Sequence, residues 1–171
     1  LQILNNRGRV IVRGSGSFGP EQTAVTTTEL HRDHTRAVVV GTDSGELVAF
    51  DPKGKRLWES NVGDRVTTLR CDIVAGEPNI IAASESGYVW ALDTAGKPVW
   101  KRNLGEPVKR LVRGGDAYFA AASANGVVRL SLNGKVEAVA PAPAAVTDLT
   151  VCGDKLVALV ADGSAIGVAT K

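Results

Sequence analysis

The chain has 171 residues, 44% of them hydrophobic and 22% charged, a balance that supports a packed core and excludes a disordered tail. Its 20 basic and 18 acidic residues are interspersed and sum to a net charge of +2, so no basic stripe is available to follow a phosphate backbone and nucleic acid is not expected as a partner. No apolar run approaches the roughly 20 residues that span a bilayer, so membrane insertion is not expected either.

Along the chain, short runs rich in Val, Ile and aromatic residues are separated by Gly, Pro, Asn and Asp, the pattern of antiparallel meanders, and no segment keeps a helical period. Residues 1–13 read as two strands joined by a turn at Asn5-Asn6-Arg7-Gly8-Arg9. The irregular stretch 14–22, interrupted by Gly14, Gly16, Gly19 and Pro20, reads as a crossover or as a clamp anchored by Phe18. Strands then fall in fours: 24–30, 37–42, 46–51 and 56–61; 65–73, 79–84, 88–93 and 98–103; 108–112, 117–122, 127–132 and 135–139. The last group stops at three, 146–151, 156–160 and 165–169, with Pro141-Ala142-Pro143 as the linker before it.

These groups are copies of one unit. Leu47-Val48-Ala49-Phe50-Asp51 through Trp58 is answered by Val89-Trp90-Ala91-Leu92-Asp93 through Trp100, with Ala, Asp, Gly, Lys and Trp each displaced by 42. Gly45, Gly87, Gly126 and Gly163 open the same strand at spacings of 42, 39 and 37, and Gly54, Gly96 and Gly134 are each followed by Lys. A period near forty built from short strands and Gly turns is the pattern of four-stranded propeller blades. The expected fold is therefore an all-β propeller with about four blades in this chain: outer strands of an incomplete blade at 1–13, blades at 23–61, 64–103 and 106–140, and an incomplete blade at 144–171. The two ends look like halves of one blade, and a start at Leu1 in mid-blade reads as a trimmed or excised piece. We expect half of a larger ring, completed by a second copy or by a missing propeller half, because open sheet faces and edges associate in water.

The motif Ala-x-Asp-x-x-Gly-Lys-x-x-Trp at Ala49–Trp58 and Ala91–Trp100 resembles the tryptophan-docking repeat of the pyrroloquinoline-quinone repeat family, the quinoprotein-dehydrogenase-like, WD-repeat-like propellers. Its turn is one residue shorter than the usual family form. The resemblance implies that Trp58 and Trp100 lie between adjacent blades on the Gly54-, Gly96-type turns of a neighbour, while Asp51 and Asp93 bond the turn backbone. In the third copy these places fall to Ser131 or Leu132 and to Ala138, which implies a looser joint. It also implies a bacterial protein of the periplasm or cell exterior.

A quinone-dependent dehydrogenase needs a Ca²⁺ site of oxygen ligands and, in many members, adjacent cysteines; the chain has no vicinal Cys pair and no acidic cluster, so no cofactor, metal or catalytic residue is expected. His31-Arg32-Asp33-His34 is the one His-containing cluster and reads as a solvated turn. Ser15 and Ser17 lack the context of a phosphate loop or a nucleophile. Cys71 and Cys152, about two repeats apart in apolar contexts, read as small buried hydrophobes with no disulfide between them. The turns carrying Asp43, Glu85, Asn125 and Asp162 are expected on one rim together with the interblade residues Arg65, Lys109 and Arg110, a mixed-charge surface suited to a protein partner or a carbohydrate. The expected function is a non-catalytic interaction or scaffold module. The alternative is a fragment of a larger secreted enzyme, a quinone-dependent dehydrogenase or a glycan-active hydrolase or lyase, whose chemistry lies outside this chain.

Overall fold

The computed structural model describes residues 2–4, 10–13, 21–29, 36–122, 126–153 and 155–169, and every regular element among them is a strand. β1 (Gln2–Leu4) and β2 (Val10–Arg13) pair with each other in a two-stranded sheet. The first full blade is β3 (Gln22–Glu29), β4 (Arg36–Thr42), β5 (Glu46–Phe50) and β6 (Arg56–Asn61). The second is β7 (Val66–Val74), β8 (Glu77–Ser84), β9 (Tyr88–Leu92) and β10 (Pro98–Asn103). The third is β11 (Val108–Gly114), β12 (Ala117–Ala122), β13 (Gly126–Ser131) and β14 (Val136–Ala140). β15 (Val146–Cys152), β16 (Lys155–Val160) and β17 (Ala165–Ala169) form a three-stranded fourth sheet. All pairings are antiparallel and sequential, the meander of an all-β propeller.

The strand limits differ from the sequence expectation where turns are tighter than composition suggests. β7 and β8 run on to Val74 and back from Glu77 because Ala75 and Gly76, at φ 52 and 82, close the hairpin in two residues. Two successive residues at positive φ match the right-handed twist of the flanking strands. The β11–β12 hairpin also closes in two residues, Gly115 at φ 60 and Asp116, and carries β11 past residue 112 to Gly114.

The middle strands are buried on both sides, so their apolar residues run continuously and divide by parity. In β8, Ile80 and Ala82 join the core shared with the first blade, whereas Ile81 and Ala83 join the core shared with the third. A third layer, with Phe119, Ala121 and Val127 against Leu149, Leu156 and Ala158, joins the third blade to the fourth. Small residues set the spacing: a Cβ at Gly41 would stand 2.8 Å from Val66 Cγ1, so the first two sheets approach as closely as glycine permits. The cysteines depart in part from expectation. Both are free, but Cys152, next to the tight β15–β16 turn, is exposed, and Cys71 is half-buried against the Thr28 hydroxyl.

Tyr118 is fully buried beside Trp100, at 6.5 Å between ring centroids, and its hydroxyl has no hydrogen-bond partner among the described residues. Burial, reinforced by the Asp72 carboxylate, raises the phenol well above its ordinary value near 10. A folded-state value above the unfolded one means that its contribution holds below about pH 10 and is lost as pH rises beyond it. Tyr118→Phe removes an unpartnered hydroxyl. It is expected to leave stability at pH 7 unchanged or higher by about 1 kcal/mol and to move base unfolding to higher pH, as read by urea midpoints and alkaline titration of circular dichroism.

Candidate functional site

Each blade has two ends, and the structure equips them differently. At one end the turn between the second and third strands meets the linker to the next blade. Val62 N–H donates to Gly45 O, and Leu104 N–H to Gly87 O, both at 2.9 Å. These glycines sit at φ +83 and +87, and a Cβ on them would strike Asp64 N at 2.5 Å and Glu106 O at 2.7 Å. Gly126 is pressed in the same way against the Ala140 carbonyl. Turn and linker are thus one rigid rim, built by glycine at a place no side chain could share.

Of the sequence-derived candidates, Lys109 and Glu85 pair across blades, and Arg110 finds a partner outside the set. Lys109 Nζ reaches Glu85 Oε1 at 3.4 Å, from the third blade to the second. Arg110 Nε reaches Asp148 Oδ1 at 3.3 Å, from the third blade to the fourth. Both pairs are about half exposed, so they set register more than stability. Asp148 was not singled out in the sequence; its partner is 38 positions away, and only the closeness of successive inner strands brings them together. Arg65 lies at the linker, its N–H bonded to Asp64 Oδ1 and its carbonyl to Glu85 N–H. Asp43 N–H is tied to Glu21 O at 2.9 Å. The hydroxyl and backbone N–H of Ser164 hold the exposed Asp162 carboxyl below the usual carboxylate range. Asn125, His31, Arg32, Asp33, His34 and the stretch 14–20 lie outside the described residues. Among the described residues no group of His, Cys, Asp or Glu has the arrangement of a metal site.

The opposite end carries the repeated turns. Asp51 Oδ1 accepts the N–H groups of Lys53 and Lys55 at 2.8 Å, and Asp93 Oδ1 those of Ala95 and Lys97 at 2.9 Å. The turns of the second and third blades each receive an indole from the preceding blade. Trp58 Nε1 donates to Thr94 O at 2.9 Å and its ring lies on Gly96, where a Cβ would stand 2.6 Å from Cε3. Trp100 Nε1 donates to Leu132 O at 3.2 Å over Gly134, and Arg102 Nε adds a bond to Gly134 O. In the third copy Ser131 takes the Asp place, its hydroxyl accepting Lys135 N–H. Ala138, in the Trp place, stands exposed across from Arg129, which bridges Asp116 and Glu137. No indole crosses the joint to the fourth blade; fully buried Phe119 fills that core instead.

Two further arrangements escaped the sequence reading. Lys101 Nζ, from β10, lies 4.0 Å from the centroid of Tyr88 and 4.4 Å from that of Trp90, a cation held over two rings of the adjacent strand β9. Asp72, 8% exposed, is held by Arg70 of its own strand, while Arg113 of the third blade donates to the neighbouring Ile73 carbonyl at 2.8 Å. The strand alternation that places Trp90 and Asp72 was visible in the sequence, but their partners come from another strand or blade. Beside Asp72 a cleft of about 530 Å³ opens at the end opposite the rim, lined by Thr27, Arg36, Val38, Cys71, Ile73 and Pro78 among others. Burial pushes the Cys71 thiol up, partly offset by its bond to Thr28, which disfavours the reactive thiolate. The cleft gathers none of the candidate residues of the rim.

A PQQ-repeat family model, described as outer membrane protein assembly factor BamB, matches residues 15–138 and, in a second alignment, residues 43–170. No curated protein matches the chain significantly in sequence. Among solved structures, the computationally designed Ika4 protein superposes with a TM-score of 0.80 at 16% identity over 96% of this chain and 99% of its own. The designed Ika8 protein gives 0.82 at 16% identity over 98% of this chain and 52% of its own. BBS1N, solved in complex with ARL6DN, gives 0.69 at 17% identity over 88% of this chain and 52% of its own. At such identities the likeness is one of fold.

The indole contacts carry a stability expectation. Trp100→Ala deletes a ring that packs on the next blade together with its bond to Leu132, and is expected to cost about 3–5 kcal/mol. Trp58→Ala should be comparable. Equilibrium urea unfolding measures both, and a loss near zero would show that the indoles do not hold the blades.

Proposed function

From the premise that the chain belongs to the PQQ-repeat family described as outer membrane protein assembly factor BamB, we propose that it is a non-catalytic propeller module presenting its rim to a protein partner outside the cytoplasm. The observation that carries the reading is the construction of the rim. Gly45, Gly87 and Gly126 lock turn to linker, and the polar candidates Asp43, Arg65, Glu85, Lys109 and Arg110 are displayed from that frame, with Asp162 on the turn of the fourth sheet, where Gly163 meets no linker. Mixed charge on fixed backbone suits recognition of a folded protein surface with complementary charge, and loses little entropy when the partner arrives. Carbohydrate is the lesser choice, because the paired aromatic surface of Tyr88 and Trp90 is already covered by Lys101.

The blade contacts of Asp51, Gly54 and Trp58 and of Asp93, Gly96 and Trp100 serve this role indirectly, by fixing the angle at which successive turns reach the rim. A second copy or another propeller half completes the ring in the same reading.

Photoreactive amino acids placed at Arg65 and Lys109, and as controls at Lys53 and Lys97 on the opposite end, test the proposal. Irradiation of cells carrying the chain should give adducts with an outer-membrane assembly protein from the rim positions and not from the controls. Equal labelling from both ends, or none from the rim, would overturn it. In parallel, Ca²⁺ with pyrroloquinoline quinone should leave the melting temperature unchanged; a rise of several degrees would favour the enzyme-fragment reading.

A further inference from the structure

Folding sorts charges that alternate along the sequence. Among the described residues, the turns and linkers of the rim carry the carboxylates of Asp43, Asp64, Glu85, Glu106 and Asp162 and a single cation, Arg65, while Lys109 and Arg110 beside them are already paired. No large aliphatic side chain is exposed from those turns and linkers. The repeated turns at the opposite end have the reverse character. They present Lys53, Lys55, Lys97 and Lys135, all exposed and none in an ion pair among the described residues. The carboxylates beside them, Asp51 and Asp93, are turned onto their own backbone.

Three of these lysines are each followed by an exposed aliphatic residue. Lys55 with Leu57 and Lys97 with Val99 recur 42 positions apart, and Lys135 with Val136 repeats the pair in the third blade. Leu57 is 41% exposed, Val99 57% and Val136 39%, and none belongs to the apolar layers between blades. In β6 and β10 the register skips Leu57 and Val99, which pair with no residue of the neighbouring strand; such a bulge re-aims a side chain. Trp58, next to Leu57, lies on Gly96, and Trp100, next to Val99, lies on Gly134, so both aliphatics stand at the level of the turns. Ile73, 56% exposed, adds a fourth at the β7–β8 hairpin of the same end. The hairpin strands there bring Arg36, Arg113 and Lys155 against Glu77 and against Asp116, which is bonded to Arg129.

We infer that the turn end is a contact surface for an anionic phospholipid bilayer, which it touches peripherally while the rim points away from the lipid. Lysine beside an aliphatic side chain is a pair that a headgroup layer accommodates: the ammonium meets phosphate, and the methyl groups leave water at the boundary with the acyl chains. One such pair binds weakly. Three on one end, held at fixed spacing by the indole bonds to Thr94 and Leu132, bind together, because the first contact brings the others to the surface. A folded acidic protein would match the lysines but would need a pocket for each separate aliphatic, whereas a fluid headgroup layer adapts to side chains spaced along an arc. The contact is distinct from insertion, since no helix among the described residues is long and apolar enough to cross a membrane. It is independent of what binds the rim.

Vesicles supply the test. At low ionic strength the chain should float with vesicles of equimolar phosphatidylglycerol and phosphatidylcholine and not with phosphatidylcholine alone, and added salt should weaken the binding. Lys55→Gln, Lys97→Gln and Lys135→Gln combined should lower the affinity for the anionic vesicles by about tenfold or more. An environment-sensitive fluorescent amino acid at Ala95, on the second turn, should shift to the blue when those vesicles are added, and the same probe at Ser44, on the rim, should not. Should the triple variant fail to fold, the two probe positions decide. Equal binding to both kinds of vesicle, no binding to either, an unaltered affinity in the folded triple variant, or a shift from Ser44 as large as that from Ala95 would overturn the inference. Polyglutamate bound in place of vesicles would give the end to an acidic protein and overturn it as well. Photo-crosslinking at the rim reads the partner reading separately.

Discussion

The structure depends on the burial of each sheet between its two neighbours. A four-stranded antiparallel sheet with apolar residues on both faces cannot satisfy either face alone, so each blade is stable only as part of a stack. That constraint explains why Ile80, Ile81, Ala82 and Ala83 are all wholly buried in one strand, which an amphipathic strand with one wet side would forbid. It also explains the small residues at Gly41, Ala83 and Ala121: as blades converge, the space between inner strands narrows, and a larger side chain there would push Val66 or its counterparts outward.

Burial alone leaves the blades free to slide, and the polar contacts at the two ends remove that freedom. The indole N–H groups of Trp58 and Trp100 bond carbonyls of the next turn, and the rings need glycine beneath them. Indole and glycine are therefore one device, and replacing either member alone loses the fit. At the rim, glycine answers a different demand, the passage of a linker directly over a turn. The two ends thus use the same residue for different reasons, and the rim gains its rigidity from backbone contacts while its side chains remain available.

Much of this was legible in the sequence because backbone geometry imposes residue types. Positive φ asks for Gly45, Gly87 and Gly163; the turn bonded by its own carboxylate asks for Asp51 and Asp93; their spacing gives the period. What escaped has a common cause. Arg110 with Asp148, Lys101 over Tyr88 and Trp90, and Arg113 at the Ile73 carbonyl are contacts whose partners sit on another strand or blade. The two-residue hairpin at Ala75 and Gly76 is not legible from composition, because Ala is not an expected residue at φ 52. The Val-x-x-Leu recurrence at Val66, Val108 and Val146 was visible, but two positions in seven carry too little signal until the structure shows that both face one neighbour.

The third joint shows how the same architecture tolerates change. With Ala138 in the Trp place, no indole N–H bonds the fourth sheet, and Arg129 occupies the place held by Ala49 and Ala91 in the other blades, turned to Asp116 and Glu137. The apolar layer compensates from within: Phe119 stands where Val39 and Ile81 stand in the first two blades, and its larger ring fills the core against Leu149 and Leu156. Such a joint resists separation through buried area but lacks the directional bond that fixes the angle between sheets. In a stacked array, stability is a sum over neighbours, so of the three joints the one without an indole is the first to open. The fourth sheet is thereby held to the third by apolar area alone, without the indole bond that the second and third blades each receive.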